Sequence, residues 1–307
     1  MNRRGRRTRT TPGSGTASTP GRIIRIGSVP THVLREGAGP VCVLSGGLGS
    51  SWFDWDPVVP LLAPHRTVVR FDRPGLGFSA PDPQPPTAVG EADRIRRVLD
   101  ALGLTTPCTV VGHSLAGFHA EAFARLYPAR TAGLVLVDGS VEEDARPPRA
   151  PALRIAAARL LGAALGTAGL PRALGRTTRR LIVRTTTVRH RDPAPEELVR
   201  RSYRTSRVLR AVLMEDATYG DVAAELAALR IRYPLPRVPV TVLAAYDASE
   251  SPRGLRWLER QRRLAAELGG AEFRISAPAG HLVMCDDPAA VARAVLRSSP
   301  RLGQEGP

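Results

Sequence analysis

The sequence predicts an α/β fold in which a mostly parallel sheet is covered by helices on both faces. Three observations carry that expectation. Short runs of strand length alternate with longer stretches whose apolar residues recur at helical spacing. Some of the strand-like runs, such as Val110-Val111 and Val242 to Ala245, are continuous and apolar, and strands alternating with helices argue for a parallel sheet covered on both sides. One of them, Thr109-Val110-Val111, leads through Gly112-His113-Ser114-Leu115-Ala116-Gly117 into a helix. A tight strand-to-helix turn of that composition belongs to open α/β sheets.

The elements follow in order. Residues 23–26 and 32–35 read as an antiparallel entry pair turning at Val29-Pro30. Parallel strands are expected at 41–44, 68–71, 109–111, 134–137, 241–245 and 272–275. Helical patterns lie at 89–102, 115–126, 255–268 and 289–296. The stretch from Glu142 to Pro236 breaks this rhythm. It is rich in Ala, Leu and Arg, with helical spacing at 153–165, 179–183, 197–214 and 221–229. Its apolar stripe, Leu160, Leu161, Ala164 and Leu165, is expected to pack against the body rather than to meet a membrane. A core made of 22–141 and 237–307, interrupted by 142–236, is large enough to form one domain.

The charge is unevenly placed. The net charge is +16, and all 44 basic residues are arginine. Residues 22–145 carry 11 Arg against 13 acids, whereas 146–236 carry 18 against 7. The tail over 1–21 has five Arg, no acid and almost no apolar side chain, so a disordered basic tail is expected. Its paired arginines lack the apolar stretch that an export signal needs. No segment has the composition of a nucleic-acid module, so specific nucleic-acid binding is not expected. No apolar run is long enough to span a bilayer. The three cysteines have no metal-type spacing and read as buried thiols, which fits a cytoplasmic protein without metal or cofactor.

The chemistry concentrates at strand ends. Ser114 sits at the apex of the turn, where Gly112 and Gly117 keep side chains out of a cramped backbone. The amide of Leu115, at the helix start, is free to stabilise a developing oxyanion. A serine alcohol needs an imidazole to take its proton, and the imidazole needs a carboxylate to fix its tautomer. Asp247 follows the strand 241–245, and His281 follows the strand 272–275. In a parallel sheet these ends share one edge, where ligands bind.

From Arg22 to Leu296 the chain resembles the α/β-hydrolase family. The elbow around Ser114, the strand and loop Val41 to Ser50, the turn Asp72-Arg73-Pro74-Gly75-Leu76-Gly77-Phe78-Ser79, and Gly280-His281 carry the resemblance. Ser45 stands where the family's oxyanion loop usually opens with histidine. The resemblance implies a Ser114, Asp247, His281 triad, a second oxyanion amide from Gly47 (or Leu48 if the loop is shifted), and a helical cap over 142–236. Asp138 also ends a strand on that edge; Asp247 is preferred because its onward run to His281 matches the family's usual arrangement. His113 and His119 are expected to be structural, and Asp72 with Arg73 to hold their own turn. The expected activity is hydrolysis of a small carboxylic ester through an acyl-enzyme. Carbon–carbon bond hydrolases, acyltransferases and cofactor-free perhydrolases share the same residues, and a non-catalytic receptor or scaffold is the reading from another class. Haloalkane and epoxide chemistry in this fold needs a carboxylate at the elbow, which Ser114 does not provide.

Overall fold

The computed structural model describes residues 20–298. Nearly all of the basic tail expected over 1–21 therefore lies outside the described residues. The sheet contains β1 (Arg22–Ile26), β2 (Val29–Glu36), β3 (Val41–Ser45), β4 (Thr67–Phe71), β5 (Cys108–His113), β6 (Thr131–Val137), β7 (Val240–Ala245) and β8 (Glu272–Ser276). Their spatial order is β1-β2-β4-β3-β5-β6-β7-β8. β1 pairs antiparallel with β2, and β2 antiparallel with β4; every later pairing is parallel. The entry pair turns at Gly27-Ser28, not at Val29-Pro30 as the sequence suggested. Val29 is already paired with Ile26, and Gly27 supplies the positive φ of +62° that the tight turn requires.

The body helices are α1 (Val59–Leu62), α2 (Ala88–Ala101) and α3 (Ala116–Leu126). Four inserted helices follow β6: α4 (Pro151–Thr167), α5 (Leu170–Thr186), α6 (Glu196–Tyr203) and α7 (Ser206–Arg232). Then come α8 (Pro252–Glu267), α9 (Val283–Asp286) and α10 (Pro288–Arg297). The two-residue pleat splits the strands between two cores. Val43, Val69, Val110 and Leu134 pack with α2, α3 and the end of α8. Cys42, Leu44, Val111 and Val135 pack on the opposite face with α1 and α10. That two-sided burial is why the central strands β3, β5, β6 and β7 read as nearly continuous apolar runs, while the edge strand β8, Glu272–Ser276, does not. Cys42, Cys108 and Cys285 are free and buried; burial pushes the thiols of Cys42 and Cys108 up to about 12.

The insertion differs from its sequence pattern in two ways. The expected helix over 197–214 is broken, because the Thr205 hydroxyl accepts the Val208 N–H and starts a new helix there. That helix then runs without interruption to Arg232. The second difference concerns the apolar stripe of α4. Leu160 and Leu161 do not pack against the body; both are exposed, and the helix instead turns Ala158 and Gly162 inward. Gly162 is where α7 approaches, since a Cβ there would meet the Arg210 side chain at 2.8 Å. The small residues, not the leucines, make the contact.

Candidate active site

Ser114 follows β5 with a φ of +52°, and its carbonyl accepts the amides of Gly117 (2.8 Å) and Ser140 (3.1 Å). The turn is tight enough that a Cβ on Gly112 would lie 2.2 Å from the Ala116 carbonyl oxygen. Only glycine fits there. The Ser114 hydroxyl lies 2.9 Å from His281 Nε2. His281 sits in the loop after β8, and its Nδ1 lies 2.6 Å from Oδ2 of Asp138. Ser114, His281 and Asp138 thus form a continuous hydrogen-bonded relay.

Asp247 is not part of it, which corrects the expectation from the sequence. Its Oδ1 accepts the Ser249 hydroxyl at 2.7 Å and the Ser249 amide at 3.0 Å, in an exposed turn. Those two bonds, the hydroxyl first, hold its carboxyl below the usual carboxylate range. Asp138 follows β6 directly, with a φ of +43°, and is buried. Its Oδ1 accepts the Ala245 amide at 2.8 Å and the Trp257 indole N–H at 2.7 Å. Both lone-pair faces are therefore occupied, with Oδ2 left to His281. Trp257, on α8, had no signal in the sequence that tied it to the site.

The main chain of His281 is anchored as well. His113 Nε2 donates to the His281 carbonyl at 2.8 Å. Burial, reinforced by His281, keeps His113 well below the usual histidine range, so it stays neutral. His119 is also buried and neutral, and packs in the core with no hydrogen bond on either ring nitrogen among the described residues.

The loop after β3 closes over the serine. A Cβ on Gly47 would fall 2.8 Å from His113 Nδ1 and 2.9 Å from Ser114 Cβ, so this backbone lies directly against the elbow. Among the described residues, the amides of Gly47, Leu48 and Leu115 donate to no protein acceptor. Arg73 orients the loop. It does not hold its own turn, as its sequence position implied; its buried guanidinium donates to the Gly46 carbonyl and, at 2.6 Å, to that of Gly47. In a trans peptide the N–H opposes the C=O, so the Gly47 and Leu48 amides point away from Arg73. Glu215, on α7, binds Arg73 Nε at 2.7 Å and accepts the Gly49 amide at 2.8 Å. Burial works against the Arg73 charge, and Glu215 outweighs it, raising its pKa. Asp72 does hold its turn, accepting the amides of Trp52 and Phe78 at 2.9 Å each.

A cleft of about 1200 Å³ opens beside His281 and Asp138, lined also by Thr186, Tyr246, Asp247 and Trp257. The insertion forms one wall: the Thr186 carbonyl, at the end of α5, accepts the Leu282 amide at 3.1 Å. No group of His, Cys, Asp and Glu among the described residues is arranged to hold a metal ion.

A predominantly parallel sheet with an elbow serine, a strand-end carboxylate and a loop histidine defines the α/β-hydrolase class of fold. The sequence profile described as the "Alpha/beta hydrolase family" matches residues 41–294, and the chain belongs to that family. Similar solved structures include Cfl2 from Burkholderia cenocepacia, with a TM-score of 0.71 and 22% identity over 91% of this chain and 95% of that one. An enol-lactonase from Burkholderia xenovorans LB400 gives 0.62 and 23% over 90% and 98%. A thermophilic esterase from Thermogutta terrifontis gives 0.66 and 22% over 91% and 97%. At such identities the likeness shows the fold. In sequence, the chain is 37% identical over 96 residues to RutD of Pantoea ananatis, a proposed carbamate hydrolase. That stretch spans 31% of this chain and 34% of the relative.

Proposed function

We propose that the chain is a serine hydrolase acting on small carboxylic esters through an acyl-enzyme, with Asp138 in the role expected of Asp247. The reading rests on one observation above the others: the relay from Ser114 Oγ through His281 to Asp138. His281 Nε2 takes the hydroxyl proton as Ser114 Oγ attacks the carbonyl carbon. The amides of Leu115 and Gly47 receive the oxyanion; losing one such donor typically costs about 3 kcal/mol of transition-state stabilisation. Asp138 fixes the imidazole tautomer and stabilises the imidazolium. His281 then protonates the leaving alcohol, and a water deprotonated by His281 releases the acid. A serine rather than a carboxylate at the elbow, with the Leu115 and Gly47 amides beside it, favours acyl chemistry as the default.

The test is Ser114→Ala assayed on p-nitrophenyl acetate, alongside labelling of the wild type with a fluorophosphonate. The variant should lose at least about 10³-fold in kcat while keeping its circular dichroism and melting temperature. Turnover at the wild-type rate, or a wild type that neither turns over esters nor takes the label, would overturn the reading.

A further inference from the structure

Two consecutive helices of the insertion each carry an apolar stripe that no described residue covers, in a stretch rich in arginine. On α4, Leu153, Leu160 and Leu161 are 69%, 73% and 48% exposed, and spacings of seven and eight residues put them on one side of the helix. On α5, Leu170, Leu174 and Leu181 share one side in the same way, with Ile182 exposed beside them. These seven are nearly half of the exposed large apolar residues among those described. The stretch 151–191 contains nine arginines and no acidic residue. Arg176, Arg180 and Arg184, four residues apart, run along one edge of the α5 stripe. Arg176 and Arg180 share one carboxylate, Glu196, and Arg172 and Arg184 have no carboxylate partner among the described residues, so the edge keeps a positive excess.

We propose that the α4–α5 face docks the protein on an anionic lipid surface, with both helices lying in the plane of the headgroups. Each helix has 17 residues and their axes turn by 105° at the break, so neither crosses a hydrocarbon core about 30 Å thick. Leucines entering the headgroup boundary and guanidinium groups reaching phosphates at its rim are what such a surface rewards. Other occupants fit less well. A second copy would bring Arg172, Arg180 and Arg184 against their own like charge. The chain's own stretch 1–19 has five arginines, no acid and only Met1 and Ala17 as apolar residues. Like charge and missing apolar surface disqualify it as a cover.

Flotation of the full-length protein with vesicles tests the proposal. It should float with vesicles of equal parts phosphatidylcholine and phosphatidylglycerol, and not with phosphatidylcholine alone. Leu160→Ser with Leu181→Ser should weaken partition at least about tenfold. Arg180→Gln with Arg184→Gln should weaken it too, as should about 1 M salt, where the Debye length falls to about 3 Å. Both double variants should keep the wild-type melting temperature and ester turnover, which separates this inference from the hydrolase reading. Three results would overturn it: no flotation with anionic vesicles, flotation indifferent to the leucine variants, or a concentration-dependent dimer that the leucine variants dissolve.

Discussion

Two adjacent parallel strands, β6 and β7, end on the same edge of the sheet, and an aspartate follows each. After β6 the chain turns at once into a left-handed conformation at Asp138, which drops the carboxylate into the protein beneath His281. After β7 it continues through Tyr246, whose amide pairs with the Ser276 carbonyl, before reaching Asp247 in an exposed turn. Asp138 accepts from a main-chain amide and an indole and holds an imidazole; the hydrogen bonds to Asp247 among the described residues come from Ser249. Position at a strand end is thus not enough to make a carboxylate part of a relay. What decides is whether neighbouring elements bring donors that hold it buried and hydrogen-bonded.

Exchanging the carboxylates for amides is the most direct way to break this contrast. Asp138→Asn should lower kcat by about 10³- to 10⁴-fold, because the amide no longer fixes the imidazole tautomer. Stopped-flow acylation with an activated ester measures it, and a loss below tenfold would return the role to another group. Trp257→Phe sharpens the comparison by removing one donor from Asp138 and leaving the ring. A hydrogen bond to a charged group is worth about 1.5–3 kcal/mol, of which only part is felt in the transition state. The expected loss in kcat is roughly three- to thirtyfold, with KM nearly unchanged.

Asp247→Asn should have the smallest effect, with kcat within about twofold of wild type, since one local turn bond changes. Its stability signature has a defined sign. The folded carboxyl titrates below its usual value, so its small stabilising contribution is present above that value and fades as pH falls through the folded pKa. The variant should therefore melt slightly lower than wild type at neutral pH and identically near pH 2. A difference that grew as the pH fell would contradict the Ser249 contacts.

The contrast also marks how far the sequence could be read. Strand positions were legible because two-sided burial forces continuous apolar runs, as in Val110-Val111 and Leu134 to Val137. Ser114 and the glycine at 112 were legible because a turn this tight restricts which residues fit. The choice between Asp138 and Asp247 was not, since it depends on a backbone φ and on the remote donor Trp257. In the insertion, helical spacing located α4 but not its inward side. Ala158 and Gly162 pack more closely than leucine could, and no apolar scale registers that. The Arg73–Glu215 pair joins residues 142 positions apart and left no mark in either local pattern.

That pair makes the insertion more than a cover. Glu215 belongs to α7, yet it holds the Gly49 amide directly and, through Arg73, the two carbonyls that aim the oxyanion loop. The loop and the long inserted helix are therefore one thermodynamic unit: lifting α7 would strand a buried guanidinium and release the backbone that faces Ser114. Substrate admission by wholesale removal of that helix would dismantle the machinery it feeds. The cleft beside His281 is bounded instead by the end of α5, whose Thr186 carbonyl holds the histidine loop, so two helices of the insertion serve different parts of the site.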